Sequence, residues 1–140
     1  MIVDWNQYIG LPWESGAQGP EAFDCWSFFR AIQRLHFKRD LPVISVDANN
    51  IRTVISAFQE TSEYSSWEQV ERFDQLENGD AVLMSQSRFP SHVGAWIDVD
   101  GGGVIHCVHG SGVIFSTPTT LTRDGWSNIK LYKFKKADTA

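Results

Sequence analysis

Cysteine is scarce: the 140 residues contain two, Cys25 and Cys107. Two thiols cannot build a disulfide framework, and no CxxC pair offers the spacing of a structural zinc site. Neither a metal nor an organic cofactor is expected. Long hydrophobic runs are missing too. None approaches the roughly 20 residues needed to cross a bilayer, so no membrane span is expected. Positive charge is in deficit, with 12 Lys and Arg against 17 Asp and Glu and a formal net charge of −5. No basic stripe appears, which argues against nucleic acid held through its phosphates. The one local cluster, Lys130, Lys133, Lys135 and Lys136, reads as a solvated strand edge or tail. The first ten residues carry Asp4, Asn6 and Gln7 without a basic flank, so they do not read as a secretory signal. Synthesis in the cytoplasm is the expectation, and work outside it needs another delivery route. Repeats, low-complexity stretches and linkers are absent, which leaves a single domain over residues 1–140.

What is present is a core. Hydrophobic residues make up 42% and aromatic residues 13%, too rich a composition for a disordered chain. Residues 10–22 hold three glycines and two prolines and read as an irregular loop. Apolar residues at 25, 28, 29, 32 and 35 then follow the spacing of an amphipathic helix. Asp24 stands before it as a candidate cap, and Lys38 and Arg39 suit the negative end of its dipole. A second helix is expected over residues 48–60. Beyond it the period changes. Strands are expected at 67–73, 81–85, 92–99, 104–109, 113–116 and 129–134, several joined by tight turns. Helices first and short strands after make an α+β pattern with a mostly antiparallel sheet of five or six strands.

A cysteine in the first turn of a helix meets the positive end of the dipole and free N–H groups, which favour the nucleophilic thiolate. An imidazole nearby would serve as base and later as acid. Of the four histidines, His36 is excluded as that partner: eleven helical residues put it about 16 Å from Cys25. His92 opens an expected strand. Gly94, two residues on and on the same face, leaves room for a neighbouring chain. His106 and His109 lie on the returning strand three residues apart, so only one can share a face with His92. The register through Gly101–Gly103 decides which, and parity alone does not. Cys107 should face away from His106 as a small buried hydrophobe. Of the six tryptophans, Trp96 reads as core.

These residues resemble a known family. Tyr8-Ile9-Gly10-Leu11-Pro12-Trp13, Asp24-Cys25 opening a helix, Asn78-Gly79-Asp80-Ala81-Val82-Leu83-Met84, Ser91-His92-Val93-Gly94, and Val104-Ile105-His106 through Ser111-Gly112-Val113-Ile114 are similar in order and spacing to the NlpC/P60 cysteine peptidases. An aromatic residue after the cysteine looks like the short versions found in bacteriophage tail modules. The resemblance implies a reduced papain-like fold with a cysteine-bearing helix on an antiparallel sheet. It implies cleavage of peptidoglycan stem peptides, commonly beside D-γ-glutamyl residues. By position Cys25 resembles the nucleophile, His92 the general base and His106 the orienting residue, chosen over His109. Trp13 stands where the family usually has a tyrosine near the oxyanion, and Trp26-Ser27 replaces its Ser-Gly. Asp24, Trp13 and Trp26 are therefore expected beside the substrate.

Three functions are open to such a chain. The first is a cysteine hydrolase acting on peptidoglycan stem peptides, in a virion tail or elsewhere at the cell wall. The second is a tail assembly or interaction protein with this fold and little or no activity, its tryptophans serving as anchors toward phage tail proteins. The third is an amidase or acyltransferase of the CHAP kind, which shares the Cys-then-His order but more often shows Gln-Cys and an acidic or amide third residue.

Overall fold

A computed structural model describes residues 3–41, 67–86 and 92–135. The helix expected over 48–60 lies outside them. The cysteine helix, α1, runs Cys25–Phe37. The Asp24 carboxylate accepts from the Ser27 N–H at 2.8 Å, and the Ser27 hydroxyl accepts from the Asp24 N–H at 3.0 Å. This reciprocal cap satisfies backbone donors that the first turn leaves open. At the other end Lys38 takes the left-handed conformation that closes a helix. The buried stripe is Cys25, Phe28, Phe29 and Ile32, as the spacing predicts, but Leu35 is 57% exposed. Gln33 takes the last inward position instead. Its side-chain amide donates to the Gly79 carbonyl at 2.8 Å.

Six strands form one antiparallel sheet. They are β1 Trp67–Val70, β2 Ala81–Ser85, β3 His92–Ile97, β4 Gly103–Val108, β5 Gly112–Ser116 and β6 Ser127–Phe134. Their spatial order is β1-β6-β2-β3-β4-β5. The strand that carries Lys130 and Lys133, whose lysines read as a solvated strand edge or tail, is internal and pairs with β1 on one side and β2 on the other. Its Lys133 is tolerated there because it meets Glu77 at 3.2 Å and Asp80 at 3.7 Å. The first strand ends earlier than expected, at Val70, and Phe73–Gln75 form a short 3-10 turn.

Alternation along the strands divides the core in two. Ala81, Leu83, Val93, Ala95, Ile97, Ile105 and Cys107 pack under α1. Val82, Met84, Trp96, Val104 and Val108 face the other way, against Leu121 and Trp126. Leu121 belongs to a second helix, α2 Pro118–Arg123, which the sequence reading missed. Its threonines are poor helix formers, and the available signal was Thr117 as cap with Pro118 at the first helical position. Trp96 is core as expected, stacked on Phe73 at 5.5 Å. On the outer edge, Val113 exchanges hydrogen bonds of 2.9 Å with Gly10 and Leu11, so the N-terminal segment covers part of β5.

Candidate active site

Cys25 is the first residue of α1 and is 7% exposed. Its sulfur draws on the backbone N–H groups of Val93, Trp26 and Cys25 itself, all of which favour the thiolate. Burial is the larger effect. Together with the Asp24 charge it pushes the thiol up to about 12. The helix position does not produce a resting thiolate, as the sequence reading expected. Loss of water around the sulfur outweighs the dipole, and the group stays a neutral thiol.

His92 is the first residue of β3 and sits one position from the Val93 N–H that approaches this sulfur. Its ring lies on the strand's other face, stacked on Trp126 with centroids 4.6 Å apart and planes at 20°. Its Nε2 is 2.8 Å from Nδ1 of His106. The His106 Nε2 is in turn 2.9 Å from the Ser116 hydroxyl. His92, His106 and Ser116 are buried, His106 completely. Burial holds His106 down at about 3, and burial with His106 alongside holds His92 well below its ordinary value. Both rings are neutral at pH 7. The chain His92–His106–Ser116 therefore runs across three strands with Nδ1 of His92 as its open end. Among the described residues no hydrogen bond joins the Cys25 sulfur to the His92 ring. His92 is the chain neighbour of Val93, whose backbone N–H meets the thiol.

Gly94 is what lets β4 come close. A Cβ there would lie 2.3 Å from Val104 Cγ1 and 2.9 Å from His106 Cβ. The register, Ala95 opposite Ile105 and Trp96 opposite Val104, sets His106 on the His92 face. His109 is instead exposed, with its ring 4.3 Å from that of Trp13, edge to face. The Trp13 backbone is bridged to Phe23, two residues before Cys25. Asp24 is occupied as the helix cap. Trp26 is 2% exposed and packs on Phe29 at 5.8 Å, so it fills the core rather than walling a cleft. Cys107 is fully buried, faces away from His106, and donates its S–H to the Phe23 carbonyl at 3.3 Å. His36 sits against Trp5 and Tyr8, away from the site. Among the described residues no cluster of His, Cys, Asp or Glu could hold a metal ion, and no helix is long and apolar enough to cross a membrane.

Ser116 and Trp126 join the site without a signal in the sequence. Ser116 becomes visible only once β5 is set in register beside β4, and Trp126 only once α2 is known to return the chain beneath the histidines.

A family model for the NlpC/P60 family matches residues 10–129 of the chain. The chain belongs to the NlpC/P60 family. The fold agrees: the crystal structure of the NlpC/p60 domain of the peptidoglycan hydrolase SagA superposes with a TM-score of 0.56. That likeness covers 90% of each chain at 19% identity. No curated protein matches the sequence. Within the family match fall Cys25, His92, His106 and Ser116 alike.

Proposed function

We propose that this NlpC/P60 domain is a cysteine hydrolase that cuts amide bonds in the stem peptides of peptidoglycan, beside D-γ-glutamyl residues, as part of a bacteriophage tail. One observation carries the catalytic reading: a first-turn thiol beside the start of β3, whose own first residue is a buried histidine already engaged by a second one. Two buried imidazoles and a hydroxyl joined in a line cost desolvation that an apolar core would avoid. A tail scaffold without activity has no use for that expense. That the similar SagA domain belongs to a peptidoglycan hydrolase supports the substrate class.

In the reaction, the Cys25 S–H gives its proton to the open Nδ1 of His92 as the sulfur attacks the amide carbonyl. His92 then protonates the departing amine, leaving a thioester on Cys25. Water attacks the thioester, His92 takes its proton, and the sulfur leaves as the thiol again. The sulfur and ring start as a neutral pair, so charge develops only along the reaction. The N–H groups of Cys25 and Trp26 at the helix start are the donors for the oxyanion.

The test is digestion of purified sacculi by the wild type and by C25A, with the released muropeptides separated by mass. Stem peptides cut only by the wild type support the reading, and the fragment masses name the bond. Identical profiles from the two proteins would overturn it.

A further inference from the structure

Trp126 is placed by local structure. Helix α2 closes at Asp124, and Gly125 turns the chain at a φ of 87°. The Trp126 N–H then donates back to the Leu121 carbonyl at 3.0 Å. The indole, 5% exposed, is thereby set against the ring of His92. The two rings lie nearly parallel, with centroids 4.6 Å apart and planes at 20°. The same indole meets the His106 ring edge to face at 5.9 Å.

A buried ring that must carry charge needs a group to answer it. When His92 takes the Cys25 proton, it becomes an imidazolium that water scarcely reaches. An unpaired charge out of water is expensive. The neighbouring strands do not offset it. Met84 stands opposite on β2 and is apolar, and the titratable group beside the ring is His106 on β4. His106 is itself held neutral at pH 7, and Ser116 behind it is an uncharged hydroxyl. Among the described residues no carboxylate hydrogen-bonds to either ring. What lies against His92 is the electron-rich face of the indole, and tryptophan is the aromatic side chain that attracts a cation most strongly.

We infer that Trp126 is a positioning residue that acts through His92: its indole face holds the ring flat and stabilises it while it carries the proton from Cys25. Against the neutral ring the stack supplies packing. Against the imidazolium it adds electrostatic attraction. The contact therefore strengthens as charge develops, which lowers a barrier instead of stabilising the resting state equally.

The role rests on the proposed reading of Cys25 and His92 as a working pair, but its test needs no peptidoglycan. Tryptophans carrying one, two and three fluorine atoms are placed at position 126 alone by stop-codon suppression. Fluorine withdraws electron density from the ring face and changes the size of the ring little. The rate of iodoacetamide labelling at Cys25 is measured at pH 7 in a C107A background. It is expected to fall stepwise with each fluorine. In W126L, which keeps apolar bulk without a ring face, it is expected to fall roughly 5- to 30-fold. The fluorine series decides the matter if W126L does not fold. In H92Q, which has no imidazole to charge, what labelling remains is expected to be indifferent to fluorine. A rate that stays constant across the series overturns the inference. So does an equal fall in H92Q, which would trace the effect to packing. Labelling that falls with fluorine in a protein that leaves sacculi intact overturns the hydrolase reading and leaves the role of Trp126 standing.

Discussion

His92 and His106 are held neutral by burial, and this links the site to the stability of the whole chain. Unfolded, each ring titrates near 6.5, whereas folded His106 takes its proton only at about 3 and His92 also well below its ordinary value. Between those limits the unfolded chain binds more protons than the folded one. Stability is therefore greatest above about pH 6.5 and falls as the pH drops, by up to about 1.4 kcal/mol per pH unit for each ring. The urea midpoint is expected to be lower at pH 5 than at pH 7. Replacing one ring with an amide, as in H106Q, should flatten the slope. Asp80 opposes the trend, since burial pushes its carboxyl up, so the difference between wild type and H106Q isolates the histidines. An equal slope in both proteins would show that these rings are not the source.

The cap of α1 acts on two levels. Asp24 closes the first turn through Ser27, and its charge also raises the Cys25 thiol. The two effects separate by substitution. D24N keeps an acceptor at the cap and removes the charge, so the thiol should ionise at a lower pH than in the wild type. The pH profile of iodoacetamide labelling at Cys25 reads this directly in a C107A background, since the Cys107 thiol is itself raised by burial and by the Asp24 charge. D24A removes the acceptor as well, and about 1 kcal/mol of stability should go with it. A D24N profile that superimposes on the wild type would mean that burial alone sets the thiol. At the far end of the helix, Arg39 does more than answer the dipole. Its guanidinium lies 3.9 Å from the centroid of Phe134 and donates to the Gln33 side chain and the Gly79 carbonyl. The helix is thereby fixed to β6 and to the turn before β2, which keeps its first residue in place beside β3.

Across the whole molecule, the sheet carries His92, His106 and Ser116 on three adjacent strands, and His92 adjoins the Val93 that meets the thiol. This depends on β3 and β4 lying close. G94A would drive a methyl into Val104 and the Cβ of His106, prying the strands apart at the histidine pair. A loss of about 1–3 kcal/mol is expected from such overpacking, with activity falling further than stability because the His92–His106 bond is broken first. Thermal unfolding and sacculus digestion on one preparation measure both. A G94A protein of wild-type stability and rate would show that the close approach is dispensable. The chain of β strands was largely legible in the sequence, because apolar runs of four to six residues between Gly, Asp and Asn turns leave few alternatives. The α2 helix was not, since three of its six residues are threonine and it carries no apolar stripe. The internal place of β6 was not legible either, because its lysines look solvated until Glu77 and Asp80 are seen beside Lys133.

Local order along the chain was enough to determine the capped helix that opens on Cys25, the hairpin that carries His92 and His106 on neighbouring strands, and the α+β class. Those features depend on spacing, caps and turns within a few residues. Register, burial and face belong to the tertiary structure alone. It set His106 rather than His109 against His92 by pairing Ala95 with Ile105, added Ser116 and Trp126 from distant segments, and turned an expected thiolate into a neutral thiol. The physical reason is the same in each case: hydrogen-bond partners and the loss of water depend on which strands become neighbours, and neighbours in this sheet are not neighbours in the chain.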